Sequence, residues 1–220
     1  MILEGLVTSL NAAGELNVAP MGPIVDESMT TLLLRPFQTS RTYRNLKEQS
    51  VGVFHVVDDV LLLAKAAIGQ WAAESATLPA ERIAGRVLAE ACRWYEFEVE
   101  ELDDSTERTS IKARVLHVGR LRDYFGLNRA KHAVVEAAIL ATRLNLLDHS
   151  TVRQQLEWLR IPVEKTAGPR ETEAFALIEQ FVGERLHEQC SLNTRPRTTT
   201  PLASQHGQPS LVTIPQTEAR

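Results

Sequence analysis

The apolar pattern of this chain changes period once. Up to Leu121 the hydrophobic residues alternate or cluster in runs of strand length; from Asn128 they recur at helical spacing. That single switch argues against an alternating strand–helix–strand layout. It constrains the fold to a β-rich part followed by an all-helical one. In the first part, Ile2 to Leu10 reads as a strand, Asn11-Ala12-Ala13-Gly14 as a turn, and Leu16 to Ile24 as the returning strand of a hairpin. Met29 to Leu34 is a third strand. Val51 to Val57 is a fourth, too uniformly apolar to have a solvent face and therefore expected in the interior of the sheet. Ala91 to Leu102 and Ser110 to Leu121 complete the set. Ser40 to Gln49 reads as a short helix with Ser40 as its N-cap. Val60 to Gly69 fits helix and strand equally, and Gln70 to Glu90 gives no clear pattern. Strands at this spacing, with few helices between them, point to a barrel.

After the switch, Ala130, Val134, Ala137, Ala138, Ala141, Leu144 and Leu147 form an apolar stripe on a helix from Asn128 to Leu147. Thr151 to Leu159 and Glu171 to Leu186 are further helices, the last opening after the break Gly168-Pro169. From Ser191 onward the chain is rich in Thr, Ser, Gln and Pro. It has too little apolar surface to offset its ordering entropy, and a disordered tail is expected. The expected organisation is a barrel domain over residues 1–124, a helical unit over 125–190 and a tail over 191–220.

Composition narrows the function by exclusion. A formal net charge of −4 argues against general nucleic-acid binding, which needs a basic surface, but leaves room for a local basic pocket. The two cysteines, Cys92 and Cys190, are far apart, so neither a zinc cluster nor a redox pair is expected; Cys92 reads as a buried free thiol and a reducing cytoplasm as the setting. No secretory leader and no run of membrane-spanning length is evident. No GxG, GxxxxGK[ST], HExxH or GxSxG occurs, and no Ser/His/Asp or Cys/His set has supporting context. No catalytic residue and no metal site is assigned.

Two segments carry chemistry. The strand Thr30 to Leu34 ends at Pro36, and a hydroxyl-rich turn then opens directly into the short helix. The first turn of a helix has unpaired N–H groups and partial positive charge, which makes it an anion site. Thr39, Ser40 and Thr42 add hydroxyls there, and Arg35, Arg41 and Arg44 add fixed charge, so the turn can cradle a phosphate. An ordinary capped helix with surface arginines is the competing explanation. The second segment is Asn17-Val18-Ala19-Pro20-Met21-Gly22-Pro23, whose small or donor-free residues let a flat ring approach the main chain. An edge strand whose prolines block aggregation reads the same way. Together the two segments favour a phosphorylated, flat, aromatic ligand. Arg129, His132, Glu136 and Arg143 share one side of the long helix, either as a solvated face or as an ionic seam. His55, in an apolar strand, is more often a satisfied core histidine than a catalytic group, and Asp58-Asp59 reads as a turn.

The segments Asn17-Val18-Ala19-Pro20-Met21-Gly22 and Arg35 to Leu46 resemble the FMN-binding split-barrel superfamily of flavin reductase-like proteins. Asn128 to Leu144 resembles, more narrowly, the helical segment of the DUF447 branch of that superfamily; the likeness spans roughly Met1 to Leu186. The resemblance implies an α+β fold, mainly a six-stranded antiparallel split β-barrel that binds FMN, then a small helical unit and the tail. It implies a homodimer with FMN at the subunit interface. Thr39, Ser40, Arg41 and Thr42 would hold the phosphate and ribityl chain, and Asn17, Ala19, Pro20, Met21 and Gly22 would line the isoalloxazine ring. His55 joins the cofactor-binding set from a strand position where relatives more usually carry asparagine. The implied activity is an FMN-dependent oxidoreductase, with NADH or NADPH as a transient reductant. A non-enzymatic electron carrier or flavin-binding module is the alternative.

Overall fold

The computed structural model describes residues 1–71 and 76–193, the last five of these as backbone only. The expected tail therefore lies almost wholly outside the described residues, as does the side chain of Cys190. The elements in chain order are β1 (Gly5–Leu10), β2 (Leu16–Met21), β3 (Ile24–Val25), β4 (Thr31–Leu34), α1 (Arg41–Gln49), β5 (Val51–Val56) and α2 (Val60–Ala67). They are followed by β6 (Thr77–Pro79), β7 (Arg86–Leu88), β8 (Arg93–Asp103), β9 (Ser110–Arg120), α3 (Arg129–Ala141), α4 (His149–Thr166) and α5 (Pro169–Asn193).

Seven strands form one antiparallel sheet in the order β2-β1-β5-β8-β9-β4-β3, where six had been expected. The difference arises at Gly22-Pro23. Proline has no N–H to give to a ladder, and the expected strand Leu16 to Ile24 breaks there into β2 and β3. These two strands are consecutive in sequence yet form opposite edges of the sheet. A two-residue connection spans roughly 7 Å, so the sheet must curl until its edges nearly meet. The N-terminal segment bridges the remaining gap: Leu3 N–H donates to Pro23 C=O at 3.1 Å, and Val25 N–H donates to Met1 C=O at 2.8 Å. The result is a split half-barrel.

Its interior holds Val7, Leu32, Leu34, Phe54, Tyr95, Phe97, Ile111 and Ala113, and α1 contributes Tyr43 and Leu46 to the same core. β5 lies in the sheet interior, as its uniformly apolar sequence requires. A second core belongs to the helices. It joins α2 to Val134, Ala137, Val152, Phe175, Ile178 and Val182, and it takes in Leu6 and Leu88 from the strands. The ambiguous segment Val60 to Gly69 is thus a helix, and it is buried nearly all round, which erases the periodicity that would have marked it.

The unreadable segment contains the β6–β7 ribbon, which covers the outer face of β1, β5 and β8. Three buried polar side chains on successive strands hold it. Thr8 Oγ1 donates to Arg86 C=O at 2.6 Å. His55 Nε2 accepts from Leu88 N–H at 3.1 Å. The Glu96 carboxylate, fully buried, accepts from the N–H groups of Glu81, Arg82 and Ile83 and from the Trp94 indole. Sheet and helices are joined at Asp58-Asp59, which is more than a turn. Asp58 receives both arms of the Arg122 guanidinium and the N–H of Phe125, while its carbonyl accepts from Lys131 Nζ. Asp59 caps α2 and pairs with Arg170 of α5.

Candidate functional site

The turn that precedes α1 is built against the distant β8–β9 connection. Gln38 N–H donates to Glu107 C=O at 2.9 Å, and the Gln38 side-chain amide donates to the carbonyls of Asp104 and Thr106. Thr109, fully buried, donates from both its N–H and its hydroxyl to Pro36 C=O. Within α1, Tyr43 O–H and Lys47 Nζ both donate to Asp104. The bonds from Lys47 and then Tyr43 hold the Asp104 carboxyl below its ordinary range, and the Asp104 bond raises the Lys47 ammonium. The cradle is therefore a fixed part of the barrel's end rather than a loose loop.

Ser40 is the N-cap, its hydroxyl accepting from Tyr43 N–H at 3.1 Å. Arg44 N–H donates back to Ser40 C=O, which leaves the N–H groups of Arg41 and Thr42 without an acceptor among the described residues. Ser9 and Asn45, neither singled out in the sequence, complete the support. Asn17 Nδ2 donates to Thr42 Oγ1 at 3.1 Å, and Asn45 Nδ2 donates to Ser9 Oγ at 3.1 Å. Ser9, Thr42 and Asn45 are all buried, so this polar cluster bolts α1 to the β1–β2 hairpin. The only sequence signal was polar residues at positions where strand and helix periodicity demand a core.

Beside this junction lies a cleft of about 830 Å³, within the roughly 300–1,000 Å³ of small-molecule and cofactor sites. Its walls include Leu16 and Asn17 of β2, Arg41, Arg44 and Asn45 of α1, and Trp71. Glu15 and Glu48 stand at the same cleft. A smaller groove of about 330 Å³ between α3 and α4 has Glu136 but no cation in its lining, so it does not fit a phosphate.

The structure brings Asn17, Arg41 and Thr42 together: two line the cleft and the third supports one of them. Ser40 organises the helix start, and Thr39 is exposed just ahead of it. Ala19, Pro20, Met21 and Gly22 continue along and past β2, the free edge of the sheet, but do not wall the cleft itself. Along that strand Asn17, Ala19 and Met21 share the face toward the barrel, where Met21 meets the interior core. A Cβ at Gly22 would meet the Glu4 carboxylate and Ile2 below 3.0 Å or at it. His55 is not brought to the cleft. It is fully buried, its Nδ1–H donates to Leu6 C=O at 3.1 Å and its Nε2 is taken by Leu88 N–H, so burial pushes the imidazole down to about 4. Arg129, His132, Glu136 and Arg143 are all exposed, yet two of them reach the barrel: burial and then the Glu136 charge push the Glu4 carboxyl up, and Arg143 opposes them. Cys92 is buried and free, and burial pushes its thiol up. Among the described residues no His/Cys/Asp/Glu cluster could hold a metal, and no helix is long and apolar enough to cross a membrane.

The chain is an α+β protein, a curled antiparallel sheet with α1 packed into its interior and a helical layer against one face. The chain belongs to the DUF447 family: residues 3–122 match the model described as protein of unknown function (DUF447) N-terminal domain, and residues 128–180 match the companion DUF447 model. Its structure is similar to that of an FMN-bound protein of the same family from Methanosarcina mazei, with a TM-score of 0.72 and 22% identity over 82% of this chain and 94% of that one. Partial likeness extends to 2-nitrobenzoate 2-nitroreductase from Pseudomonas fluorescens (TM-score 0.46, 18% identity, 53% of this chain and 64% of that one). It extends also to nitrilotriacetate monooxygenase component B from Bacillus cereus (TM-score 0.45, 21% identity, 58% of this chain and 73% of that one). No curated protein matches the chain.

Proposed function

We propose that this protein is an FMN-binding flavoprotein, a flavin reductase-like oxidoreductase that works as a homodimer. The observation that carries the reading is the cleft at the start of α1. The cleft is lined by the Arg41 and Arg44 side chains and by Asn17, whose amide donates to the hydroxyl of the buried Thr42, and the first turn of α1 leaves the Arg41 and Thr42 N–H groups without an acceptor among the described residues. The residues fit a phosphorylated flavin. The helix start and the guanidinium groups suit a dianionic phosphate, and β2 offers a slim rim with Ala19, Pro20 and Gly22 for a flat ring. The FMN bound by the Methanosarcina mazei family member is consistent with this ligand.

In this reading Thr39 to Thr42 hold the phosphate and ribityl chain, and Asn17 and Ala19 to Gly22 flank the ring. His55 acts at a distance, fixing the β6–β7 ribbon rather than touching the cofactor. The barrel domain over residues 1–124 carries the site, and the helical unit over 125–190 buttresses it through α2. The bound flavin supplies the redox chemistry, so no amino-acid acid or base is required. The protein fixes the charged end of the ligand and leaves one ring face for a reductant such as NADH or NADPH.

Steady-state oxidation of NADH and NADPH by the FMN-loaded protein tests the reading. Turnover above that of free FMN is expected. Tight FMN binding with no turnover would instead establish an electron carrier or flavin-binding module in the same cytoplasmic setting.

A further inference from the structure

α4 turns an apolar stripe away from the protein. Its buried face is Val152, Leu156 and Val163, which join the helical core. On the opposite face Gln154, Trp158, Ile161 and Lys165 fall within about 60° of one another, at roughly 100° per residue. Trp158 is 72% exposed and Ile161 51% exposed. Large apolar side chains grouped on a surface mark interaction sites, and tryptophan is enriched where binding energy concentrates. Trp158 also borders the groove of about 330 Å³ between α3 and α4, together with Leu140, Leu159, Gln154 and Gln155. A protruding ring and a hollow for one thus lie side by side. A surface that carries both can be complementary to itself across a two-fold axis.

The charges of α4 identify the occupant. Arg153, Glu157 and Glu164 share one flank of the stripe, within about 40° of one another. Glu157 pairs with Arg160 of its own helix. Arg153 and Glu164 are exposed and have no ion-pair or hydrogen-bond partner among the described residues. They lie roughly 16 Å apart along the helix axis, too far to pair within one chain. A two-fold axis between Trp158 and Leu159, with α4 antiparallel to its copy, sets residues equidistant from that point level with each other. Arg153 then faces Glu164 at both ends of the contact, and Trp158 comes level with Leu159, beside the groove. Gln155 comes level with Pro162. That proline has no N–H to give the Trp158 C=O, and the Gln155 amide of the second copy can donate there instead. A parallel pairing would set Arg153 against Arg153 and Glu164 against Glu164, which like-charge repulsion disfavours.

We propose that α4 is a self-association face. Two copies of this chain pair α4 antiparallel, each Trp158 entering the α3–α4 groove of the other, with Arg153–Glu164 ion pairs at both ends. The groove and the cleft share no lining residue, so the pairing needs no flavin and stands or falls apart from the flavoprotein reading.

Sedimentation equilibrium of the purified full-length protein, with and without FMN, tests the pairing. Wild type should show a reversible doubling of mass in the micromolar range. Trp158→Ala should weaken that step at least about tenfold, with a far-ultraviolet circular dichroism spectrum unchanged because the side chain lies on the surface. Arg153→Glu and Glu164→Arg should each weaken it about tenfold, since each puts like charges together at both ends of the contact. The double variant Arg153→Glu/Glu164→Arg recreates both pairs and should associate within about threefold of wild type. Wild-type protein that stays monomeric up to high micromolar concentration would overturn the proposal, and so would a mass that Trp158→Ala leaves unchanged. A double variant no better than either single would overturn the antiparallel pairing. FMN titrations of the same variants should match wild type; an association lost with flavin binding kept, or the reverse, tells the two readings apart.

Discussion

Arg41 and Arg44 line the cleft without an ion pair among the described residues, although Glu15 and Glu48 stand nearby. Fixed charge left unpaired beside two free helix N–H groups is what an anionic ligand needs. Arg41→Ala should therefore weaken FMN binding by roughly 10- to 100-fold, the worth of a charge-assisted hydrogen bond. Because Arg41 is exposed, stability should change by no more than about 0.5 kcal/mol; a flavin titration beside a urea melt checks both. His55 makes a different prediction. Its imidazole is held near 4 by burial, below the unfolded value of 6.5. The unfolded chain therefore binds the extra proton first as pH falls. Stability should be level above 6.5 and decline between 6.5 and about 4, by up to about 3 kcal/mol. Urea midpoints across that interval should show the slope. At this scale the sequence was readable where a residue's type announces its role, as with the Ser40 cap. It was silent on Ser9, Asn45 and Thr109, because their roles lie in partners 36 and 73 residues away.

Among the elements, the β6–β7 ribbon depends most on a few atoms. Its main chain is tied to the sheet by Thr8, His55 and Glu96, and the Glu96 carboxylate alone meets three backbone N–H groups. Those donors and Trp94 hold the carboxyl below its ordinary range in spite of the largest single influence, burial, which pushes it up. Glu96→Ala would strand these donors, and a loss of about 3 kcal/mol is expected. Hydrogen exchange should speed up across residues 77–88 while the β8–β9 ladder keeps its protection. The same element shows why part of the fold was illegible. Short strands that cover a sheet are specified by the polar groups beneath them, not by their own periodicity, and the all-round burial of α2 removed its stripe. The long strands and α3 were legible because one face of each meets water or a neighbouring layer.

Across the whole molecule, two connections decide the architecture. Gly22-Pro23 makes the two sheet edges neighbours in sequence and so forces the curl. Asp58-Asp59 fastens that curled sheet to the helices through Arg122, Lys131 and Arg170. Asp58 is only 5% exposed at its side chain, and its bonds to Arg122 hold its carboxyl at about 2. Arg122 is itself partly exposed and can return to water, so Asp58→Ala should cost about 2 kcal/mol, the low end for a broken buried pair. Loss of coincidence between tryptophan fluorescence and far-ultraviolet circular dichroism during unfolding would report the loosened junction. Neither connection needs a ligand; both serve to hold α1, β2 and Trp71 around one opening. Equilibrium titration of the purified wild-type protein with FMN, followed in the visible spectrum, tests the claim that this opening is a flavin site. A saturable shift of the flavin bands that Arg41→Ala weakens is the expected result. Flavin bands that stay those of free FMN at saturating protein would contradict it.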